Sequence, residues 1–361
     1  MFEFDELSVP LVVAPMAGGP STPRLVAAAA NAGAFGFLAG GYQTVEALAA
    51  EVDEVRALTR APFGVNLFVP APAPSDADAA TRSSAVQAYR GELAPDAERY
   101  GVILPATDPN DTDHWDAKIA WLLEHPVPVV SFTFGIPDAA VIEALHAAGS
   151  HITVTVTDPA EAGDAAAAGA DSLCLQGPDA GGHRGTHAVG KVPDATPLAP
   201  LLARVVAEQS IPIVAAGGVG TAAQGFELLT IGASAVQLGT LMLRSPESGA
   251  SAAHKRALAS GGYTDTTVTR AFSGRGARGL TNRFIRDHGA TAPAAYPEVN
   301  QLVRPLRAAA AATQDADGMA LWAGTGFAGC RDAPAGDILT QLWADEQSFA
   351  ADARPEGRAT G

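Results

Sequence analysis

The residues best suited to chemistry lie in a glycine-rich segment near the middle of the chain, Gln176–Gly185 (QGPDAGGHRG). The segment contains His183. Core histidines usually lie in regular structure and surface histidines need no flanking glycines, so packing explains His183 poorly. Imidazole is the side chain best suited to move protons near neutral pH or to stabilise an anion. We therefore predict that His183 is catalytic, whereas the nearby His187 is interpreted as an ordinary loop residue.

Two later segments indicate a phosphate site. Pro212–Val219 (PIVAAGGV) and Ala235–Thr240 (AVQLGT) each consist of an apolar run that leads into glycine. In (β/α)₈ barrels the loops after the seventh and eighth strands bind phosphate through backbone N–H groups at a helix N-terminus. Glycine is needed there because a side chain would block the approach of the phosphate. Tight turns without a ligand are the alternative, but two such loops in consecutive units favour a phosphate site.

An asparagine lies within a third apolar run, Gly64–Phe68 (GVNLF). A buried amide that finds no hydrogen-bond partner is costly. If Asn66 points inward, its amide could bind the edge of a cofactor ring. A structural asparagine with partners inside the protein fits the same pattern.

The elements that must position these residues form a regular alternation of short apolar runs and alanine-rich helical stretches. Because the runs are apolar throughout, they predict a parallel sheet covered on both faces. Eight strand–helix pairs match a (β/α)₈ TIM barrel, whereas a doubly wound fold would need a GxGxxG loop that Ala17–Ser21 (AGGPS) does not provide. The predicted strands are Val12–Met16, Phe35–Ala39, Phe63–Phe68, Val127–Phe134, His151–Val156, Ser172–Gly177, Pro212–Gly218 and Ala235–Thr240.

We assign residues 1–260 to the barrel and residues 261–361 to a C-terminal helical and loop cap packed on it as part of one structural unit. Two insertions, Val69–Tyr100 and Pro178–Pro197, follow strand ends, where barrels place their active sites. The first insertion is predicted to be a proline-rich loop followed by a helical part. Its prolines are Pro70, Pro72 and Pro74.

Composition limits the classes of partner. The chain has 361 residues with 23 basic and 39 acidic ones, for a formal net charge of −16, which disfavours nucleic acid and anionic membranes. Cys174 and Cys330 lie far apart without CxxC spacing, so we expect neither a metal site nor a disulfide. No apolar run reaches the roughly 18 residues of a membrane span, and no charged segment precedes an apolar one at the start. We expect a soluble, cytoplasmic protein; its oligomeric state stays open.

These segments together resemble the nitronate monooxygenases, formerly called 2-nitropropane dioxygenases, and the tail motifs resemble the first class of that family. The resemblance covers nearly the whole chain. The motifs that carry it are Ala14–Pro23 (APMAGGPSTP), GVNLF at 64–68, SFTFG at 131–135, AGGHRGT at 180–186, AAGGV at 215–219, QLGT at 237–240, TRAFSG at 269–274, NQLVRPLRAA at 300–309 and LWAG at 321–324.

The resemblance implies a barrel with non-covalent FMN that oxidises alkyl nitronates, such as propionate 3-nitronate, with O₂ to a carbonyl compound and nitrite. It assigns His183 as the active-site histidine, acting as a base toward a nitroalkane or, when protonated, as the partner of a bound nitronate. Thr133 and Tyr296 would line the substrate pocket. The residues expected to contact FMN are Pro15, Met16, Ala17, Asn66, Gln176, Gly181, Gly217, Gly218, Gln237, Leu238, Gly239 and Thr240.

The tail adds a further expectation. Tyr296, Asn300 and Arg304 are spaced by four, which places them on one helix face if the helix begins near Ala295. The resemblance suggests that this face caps the substrate pocket, and a solvated helix face is the alternative for Asn300 and Arg304. The chain departs from the family pattern at Asp179 and at Thr325, where Glu and Gln are expected, and at Thr133, where some relatives place a bulkier polar group.

Two other functions fit the same barrel. An FMN-dependent NAD(P)H reductase of enoyl thioesters shares the Ala180–Gly185 (AGGHRG) loop, and an NAD(P)H:quinone reductase is a related possibility, although no pyridine-nucleotide site is apparent. A flavin-binding barrel without catalytic activity is the third possibility. Rapid reduction of the flavin by NAD(P)H would identify a reductase, and bound flavin without any turnover would identify the binding protein.

Overall fold

A closed barrel of eight parallel strands forms the body of the protein, in the order β1-β2-β3-β4-β5-β6-β8-β9. The computed structural model describes residues 2–72 and 75–352. A second, three-stranded sheet has the order β10-β11-β7. The strands are β1 (Leu11–Val13), β2 (Phe35–Ala39), β3 (Gly64–Phe68), β4 (Val129–Thr133), β5 (His151–Val156), β6 (Ser172–Gln176), β7 (Gly182–His183), β8 (Ile213–Ala216), β9 (Ala235–Leu238), β10 (Thr266–Thr269) and β11 (Ala277–Leu280).

The predicted TIM barrel is therefore confirmed, and so are all eight predicted barrel strands. Every residue of β2 and β5 is buried, as expected for strands covered by helices on one face and by the barrel interior on the other. The bounds of these two strands match the prediction. The predicted ends of the last two strands extend too far, because Gly217 and Gly239 already belong to the turns that follow.

The helices follow the strands in alternation, with additional helices in the first insertion and in the tail. Their bounds are α1 (Pro23–Asn31), α2 (Val45–Leu58), α3 (Asp76–Glu92), α4 (Ala94–Tyr100), α5 (Trp115–Glu124), α6 (Ala139–Ala147), α7 (Pro159–Ala167), α8 (Leu198–Glu208), α9 (Ala222–Ile231), α10 (Ala252–Ala259), α11 (Arg283–His288), α12 (Glu298–Ala312) and α13 (Ala335–Asp352). Side-chain caps start several of them: the Thr22 hydroxyl accepts from Leu25 N, and Thr221 forms a capping box with Gln224.

Aromatic and aliphatic side chains fill the amino-terminal end of the barrel. Phe35 and Phe37 of β2 pack with Val12, Val129 and other buried residues, and Phe4 from the N-terminal segment closes this end. Burying each such side chain contributes roughly 1.5–3 kcal/mol. Because this end is filled, a ligand must bind at the opposite end, where the carboxyl ends of the strands meet.

The first insertion and the tail pack on each other beside the barrel. Val86 and Tyr89 of α3 share a buried cluster with Phe272, Phe284 and other tail residues. The first insertion is helical as predicted, with α3 and α4 in it. Pro74 and residues 353–361 lie outside the residues that the structure describes. Within the described chain, no helix is long and apolar enough to cross a membrane.

Candidate active site

A cavity of about 550 Å³ lies at the carboxyl ends of the barrel strands. Each barrel strand, or the loop that follows it, contributes to its wall, and residues from α10, α12 and the later tail cover it. The wall includes His183, Thr133, Asn300 and Arg304, together with all twelve residues predicted to contact a cofactor: Pro15, Met16, Ala17, Asn66, Gln176, Gly181, Gly217, Gly218, Gln237, Leu238, Gly239 and Thr240. The fold thus brings the separate sequence motifs to one place.

Tyr296 is the exception among the predicted residues. It does not line the cavity; its ring centroid lies 6.4 Å from that of His183, and its hydroxyl lies 3.4 Å from the Tyr42 hydroxyl. The expectation that its helix begins near Ala295 is wrong, because α12 begins at Glu298 and Tyr296 precedes it. Pro297 favours this later start, since a proline disfavours the helical conformation of the residue before it.

Two groups of backbone amides line the cavity without partners in the protein. Among the described residues, the N–H groups of Gly217, Gly218 and Val219 form no hydrogen bond, and neither do those of Gly239 and Thr240. Gly217 and Gly218 have φ of +112° and +80°, a conformation that side chains rarely adopt. Unpaired amides just before a helix N-terminus are the donor set that a phosphate requires.

On the opposite wall, Asn66 offers an acceptor. Its side chain is 3% exposed, and its Nδ2 donates to Ser131 Oγ at 2.9 Å and to Thr133 Oγ1 at 3.0 Å. Both donors are therefore used inside the barrel, and Oδ1 remains for a ring N–H of a ligand. Thr133 is in turn held by Thr155 at 3.3 Å. The structural interpretation of Asn66 thus applies to Nδ2, and binding of a cofactor ring by Oδ1 stays a prediction.

Gln176 positions the segment that carries His183. Its Nε2 donates to His183 O at 2.9 Å and its Oε1 accepts from Gly185 N at 2.8 Å. The segment is not the loop that the glycines predict: His183 belongs to β7, which pairs antiparallel with Ala277 of β11 in the tail. The local sequence carries no signal for this pairing, because the partner strand lies more than ninety residues later.

The surroundings of the His183 imidazole favour its neutral form. Its Nε2 lies 2.8 Å from Ser273 Oγ, and its Nδ1 has no hydrogen-bond partner among the described residues. Burial, together with the positive charges of Arg275 and Arg307, lowers the pKa of His183 to about 3. This lowered pKa applies to the protein without a ligand, and the protonated imidazole expected beside a bound anion stays a prediction.

These arginines carry no carboxylate partner in the described chain. Arg275 is 2% exposed, donates to Thr186 O at 2.9 Å, and has its guanidinium carbon 4.0 Å from the ring centroid of Phe134. Arg307 lines the cavity and donates to Asn300 Oδ1 at 2.7 Å. Burial lowers the pKa of Arg275 to about 10 and also lowers that of Arg307. Guanidinium groups are effectively always protonated, so both side chains are cations. Arg307 thus places in the cavity wall a positive charge that suits an anionic ligand, whereas Arg275 is not part of that wall.

The sequence interpretation did not identify Ser273, Arg275, Arg307 or Tyr42. Ser273 and Arg307 lie in tail motifs recognised only for their resemblance, and Arg275 follows the first of these motifs directly. Arg307 comes three residues after Arg304, which places it on the same face of α12. Tyr42 follows the pair Gly40-Gly41 at the end of β2, and the same double-glycine signal marked the loop after β8.

The barrel and the cavity at its carboxyl end define a TIM-barrel enzyme. The sequence model of the nitronate monooxygenase family matches residues 3–345. Similar proteins include a nitronate monooxygenase of Pseudomonas aeruginosa (38% identical; 92% of this chain, 95% of that protein) and one of Paraburkholderia phytofirmans (36%; 92% and 91%).

Solved structures agree with the match to this family. The nitroalkane oxidase of Streptomyces ansochromogenes superimposes with a TM-score of 0.89 at 47% identity, covering 97% of this chain and 99% of that one. FabK of Thermotoga maritima has a TM-score of 0.73 at 23% identity over 97% and 96% of the two chains, which shows the shared fold alone. The chain belongs to the nitronate monooxygenase family, as its motifs indicated, and is therefore an oxidoreductase related to TIM-barrel flavoenzymes.

Proposed function

We propose that the protein is an FMN-dependent monooxygenase that oxidises alkyl nitronates with O₂ to a carbonyl compound and nitrite. The observation that carries the proposal is that the cavity wall holds His183 together with Arg307, a cation without a carboxylate partner among the described residues. A nitronate is an anion, so this pocket attracts it and compensates its charge without a counter-ion from solvent. Family membership supports the reaction class.

FMN suits the donors and acceptors of the cavity. The unpaired amides of Gly217–Val219 and Gly239–Thr240 would hold its phosphate, and Asn66 Oδ1 would accept from a ring N–H. Pro15, Met16 and Ala17 would lie along the ring, with Gly181, Gln237 and Leu238 completing its surroundings. Gln176 contributes indirectly, because its amide is engaged by the His183 segment. Bound FMN would accept electrons from the substrate and pass them to O₂.

The protein's own groups bind and orient the substrate. Arg307, which lines the cavity, would stabilise the negative charge of the nitro oxygens, and Arg275 would add a positive charge from outside the cavity wall. His183 Nδ1 is free to exchange a hydrogen bond or a proton with the bound anion. A pKa of about 3 makes the free imidazole a weak base, so removing a proton from a neutral nitroalkane is disfavoured. The pocket therefore favours the nitronate over the nitroalkane.

The tail acts as a cap in this proposal. Trp322 and Arg307 lie on the tail side of the cavity, and Thr133 faces it from β4. Tyr296 supports the wall through contacts of its ring with Phe134 at 5.6 Å and of its hydroxyl with Tyr42. Covering the reacting atoms in this way would exclude bulk water from them.

The proposal is tested by mixing the flavin-loaded protein anaerobically with ethylnitronate, NADPH and NADH in separate experiments. We expect ethylnitronate alone to bleach the flavin, and His183→Ala to abolish bleaching and aerobic nitrite release while retaining FMN. The matched control is His125→Ala, which removes an exposed imidazole stacked on Trp121. Rapid bleaching by a pyridine nucleotide would instead assign a reductase, and bound FMN without any reaction would assign a non-catalytic flavin protein.

A further inference from the structure

The loop after β2 is forced against the neighbouring strand. A Cβ on Gly40 would lie 2.8 Å from Leu67 Cδ2, and one on Gly41 would lie 2.3 Å from the Phe68 ring. The next residue, Tyr42, has φ +67° and is thus in the left-handed conformation that an aromatic residue rarely adopts. Such a conformation persists only where the surroundings hold it, and it occurs preferentially at functional sites.

An ion pair between a buried lysine and a partly exposed aspartate holds this loop. Tyr42 N donates to Asp113 Oδ1 at 2.9 Å, and Asp113 Oδ2 lies 2.8 Å from Lys118 Nζ in the first turn of α5. The Lys118 side chain is 1% exposed, and burial raises the pKa of Asp113 and lowers that of Lys118. Asp113 and His114 also have positive φ, of +55° and +58°. The chain thus combines three left-handed residues and a half-buried ion pair at one contact.

The contact determines where the Tyr42 side chain lies. Its ring lines the cavity and packs edge-on against Phe68 with centroids 5.3 Å apart, while its hydroxyl meets that of Tyr296 at 3.4 Å. The positive charges of Arg307 and Arg275 act on this hydroxyl. Tyr42 remains 38% exposed, whereas neither Asp113 nor Lys118 lines the cavity. The ion pair can therefore influence a ligand only through Tyr42.

We propose that Tyr42 contacts the substrate through its hydroxyl beside Arg307, and that Asp113, supported by Lys118, is a positioning residue that holds Tyr42 over the cavity. The inference rests on the proposed function, because it takes the ligand of this cavity wall to be the nitronate. The role of Asp113 is to accept the Tyr42 N–H, and the Lys118 ammonium at 2.8 Å favours the ionised carboxylate and holds it in place.

The first test removes the hydroxyl. In Tyr42→Phe we expect KM for ethylnitronate to rise about fivefold, the usual effect of one lost hydrogen bond, with kcat changed less than about twofold. Tyr263→Phe is the matched control, since Tyr263 lies outside the cavity wall. An unchanged KM in Tyr42→Phe, with the wild type active, would overturn the contact between Tyr42 and the substrate.

The second test separates two properties of Asp113, the oxygen that accepts the Tyr42 N–H and the negative charge that pairs with Lys118. The test uses double variants because Asp113→Ala alone leaves a buried lysine unpaired and could prevent folding. Asp113→Asn with Lys118→Met keeps an oxygen for Tyr42 N, and Asp113→Ala with Lys118→Met removes it; neither leaves an orphaned charge. We expect wild-type KM in the first double variant and about a fivefold rise in the second. Adding Tyr42→Phe to the second variant should cause no further rise, because both changes remove the same contact. If the two increases in KM are additive instead, Asp113 does not act through Tyr42 and has only a structural role.

The third test needs neither flavin nor substrate. It compares hydrogen exchange at the Tyr42 amide between the same two double variants in their flavin-free form. Exchange should be at least about tenfold faster in Asp113→Ala with Lys118→Met than in Asp113→Asn with Lys118→Met, because only the latter keeps an acceptor for this amide. Equal rates would overturn the positioning contact. If wild-type protein fails to react with any nitronate while this exchange difference is present, the proposed function fails and the positioning of Tyr42 stands.

Discussion

Asp179 and Thr325, the two departures from the family pattern, lie side by side next to the predicted phosphate loop. Thr325 N donates to Asp179 O at 3.1 Å, and both side chains face Gly218. A Cβ on Gly218 would lie 2.5 Å from Asp179 Cβ and 3.2 Å from Thr325 Oγ1. Asp179 and Thr325 are shorter than the expected Glu and Gln, and they meet where the chain leaves no room for a further atom. Gly218 is therefore required there because of the limited space and because of its φ of +80°.

Gly218→Ala is therefore expected to weaken FMN binding at least about tenfold, because the added Cβ displaces the amides that would hold the phosphate. Titration of the flavin-free protein with FMN, followed by quenching of flavin fluorescence, measures this. Gly190→Ala is the matched control, since nothing lies within 4 Å of a Cβ there and the residue is outside the cavity wall. Equal FMN affinity in both variants would remove Gly218 from the phosphate site.

The pKa of His183, about 3, sets a second expectation at this scale. A lowered histidine pKa means that the ring is charged only below that value, so kcat/KM for ethylnitronate should show no His183 ionisation between about pH 5 and 8. Arg307→Met removes one of the charges that depress the pKa, so the His183 pKa should rise in this variant. Losing a charge-assisted hydrogen bond of about 1.5–3 kcal/mol should also lower kcat/KM roughly tenfold or more.

NMR titration of the imidazole resonances in the flavin-free protein measures the pKa directly, and Arg60→Met serves as the control because Arg60 is exposed. A wild-type His183 that titrates near its ordinary value of 6.5 would contradict the neutral site.

At the scale of elements, α13 packs on α9 through an unusual contact. Glu346 of α13 is 1% exposed, and a Cβ on Gly225 of α9 would lie 2.1 Å from its Oε1. Neither carboxyl oxygen has a hydrogen-bond partner among the described residues. Burial raises the pKa of Glu346 to about 7 from 4.5, so the helix contact favours the protonated acid.

A raised carboxyl pKa contributes stability that is present below the unfolded-state value and is lost as the pH rises through about 7. As the pH rises from about 5 to about 8.5, ionisation of Glu346 should lower the free energy of unfolding by up to about 3 kcal/mol. Glu346→Gln cannot ionise, so the difference in unfolding free energy between variant and wild type should increase over that range. Urea unfolding at both pH values measures it, with the exposed Glu143→Gln as control. A difference independent of pH would contradict the raised pKa.

The elements also show what a sequence can and cannot predict. The barrel strands could be predicted because each is an apolar run bounded by turn residues, and local composition determines such features. The pairing of β7 with β11 could not, since it joins residues more than ninety positions apart. The predicted start of α12 lies three residues too early, although Pro297 is visible in the sequence. The glycine loops identified the cavity wall at β8 and β9, but the cations that define its chemistry lie in the tail.

At the scale of the whole molecule, the buried hydrophobic clusters contain side chains from both the barrel and the tail. Ile338, Leu339 and Leu342 of α13 belong to the same buried cluster as the barrel strands and their covering helices. Leu243, which follows the last barrel strand, packs in a cluster with Leu280 and other tail residues. Each such side chain contributes roughly 1.5–3 kcal/mol, and the net stability of a domain is only about 5–15 kcal/mol.

A chain that ends at residue 260 should therefore fail to form a cooperatively folded barrel, and the complete chain without flavin should unfold in one transition. Calorimetry measures this: the calorimetric and van 't Hoff enthalpies should agree for the complete chain, and the shortened chain should show no transition. The control is a chain ending at residue 352, which keeps all of α13. Two separate transitions in the complete chain, or a shortened chain that unfolds cooperatively, would mean that residues 261–361 form a separable unit, and the active site would then lie between two domains.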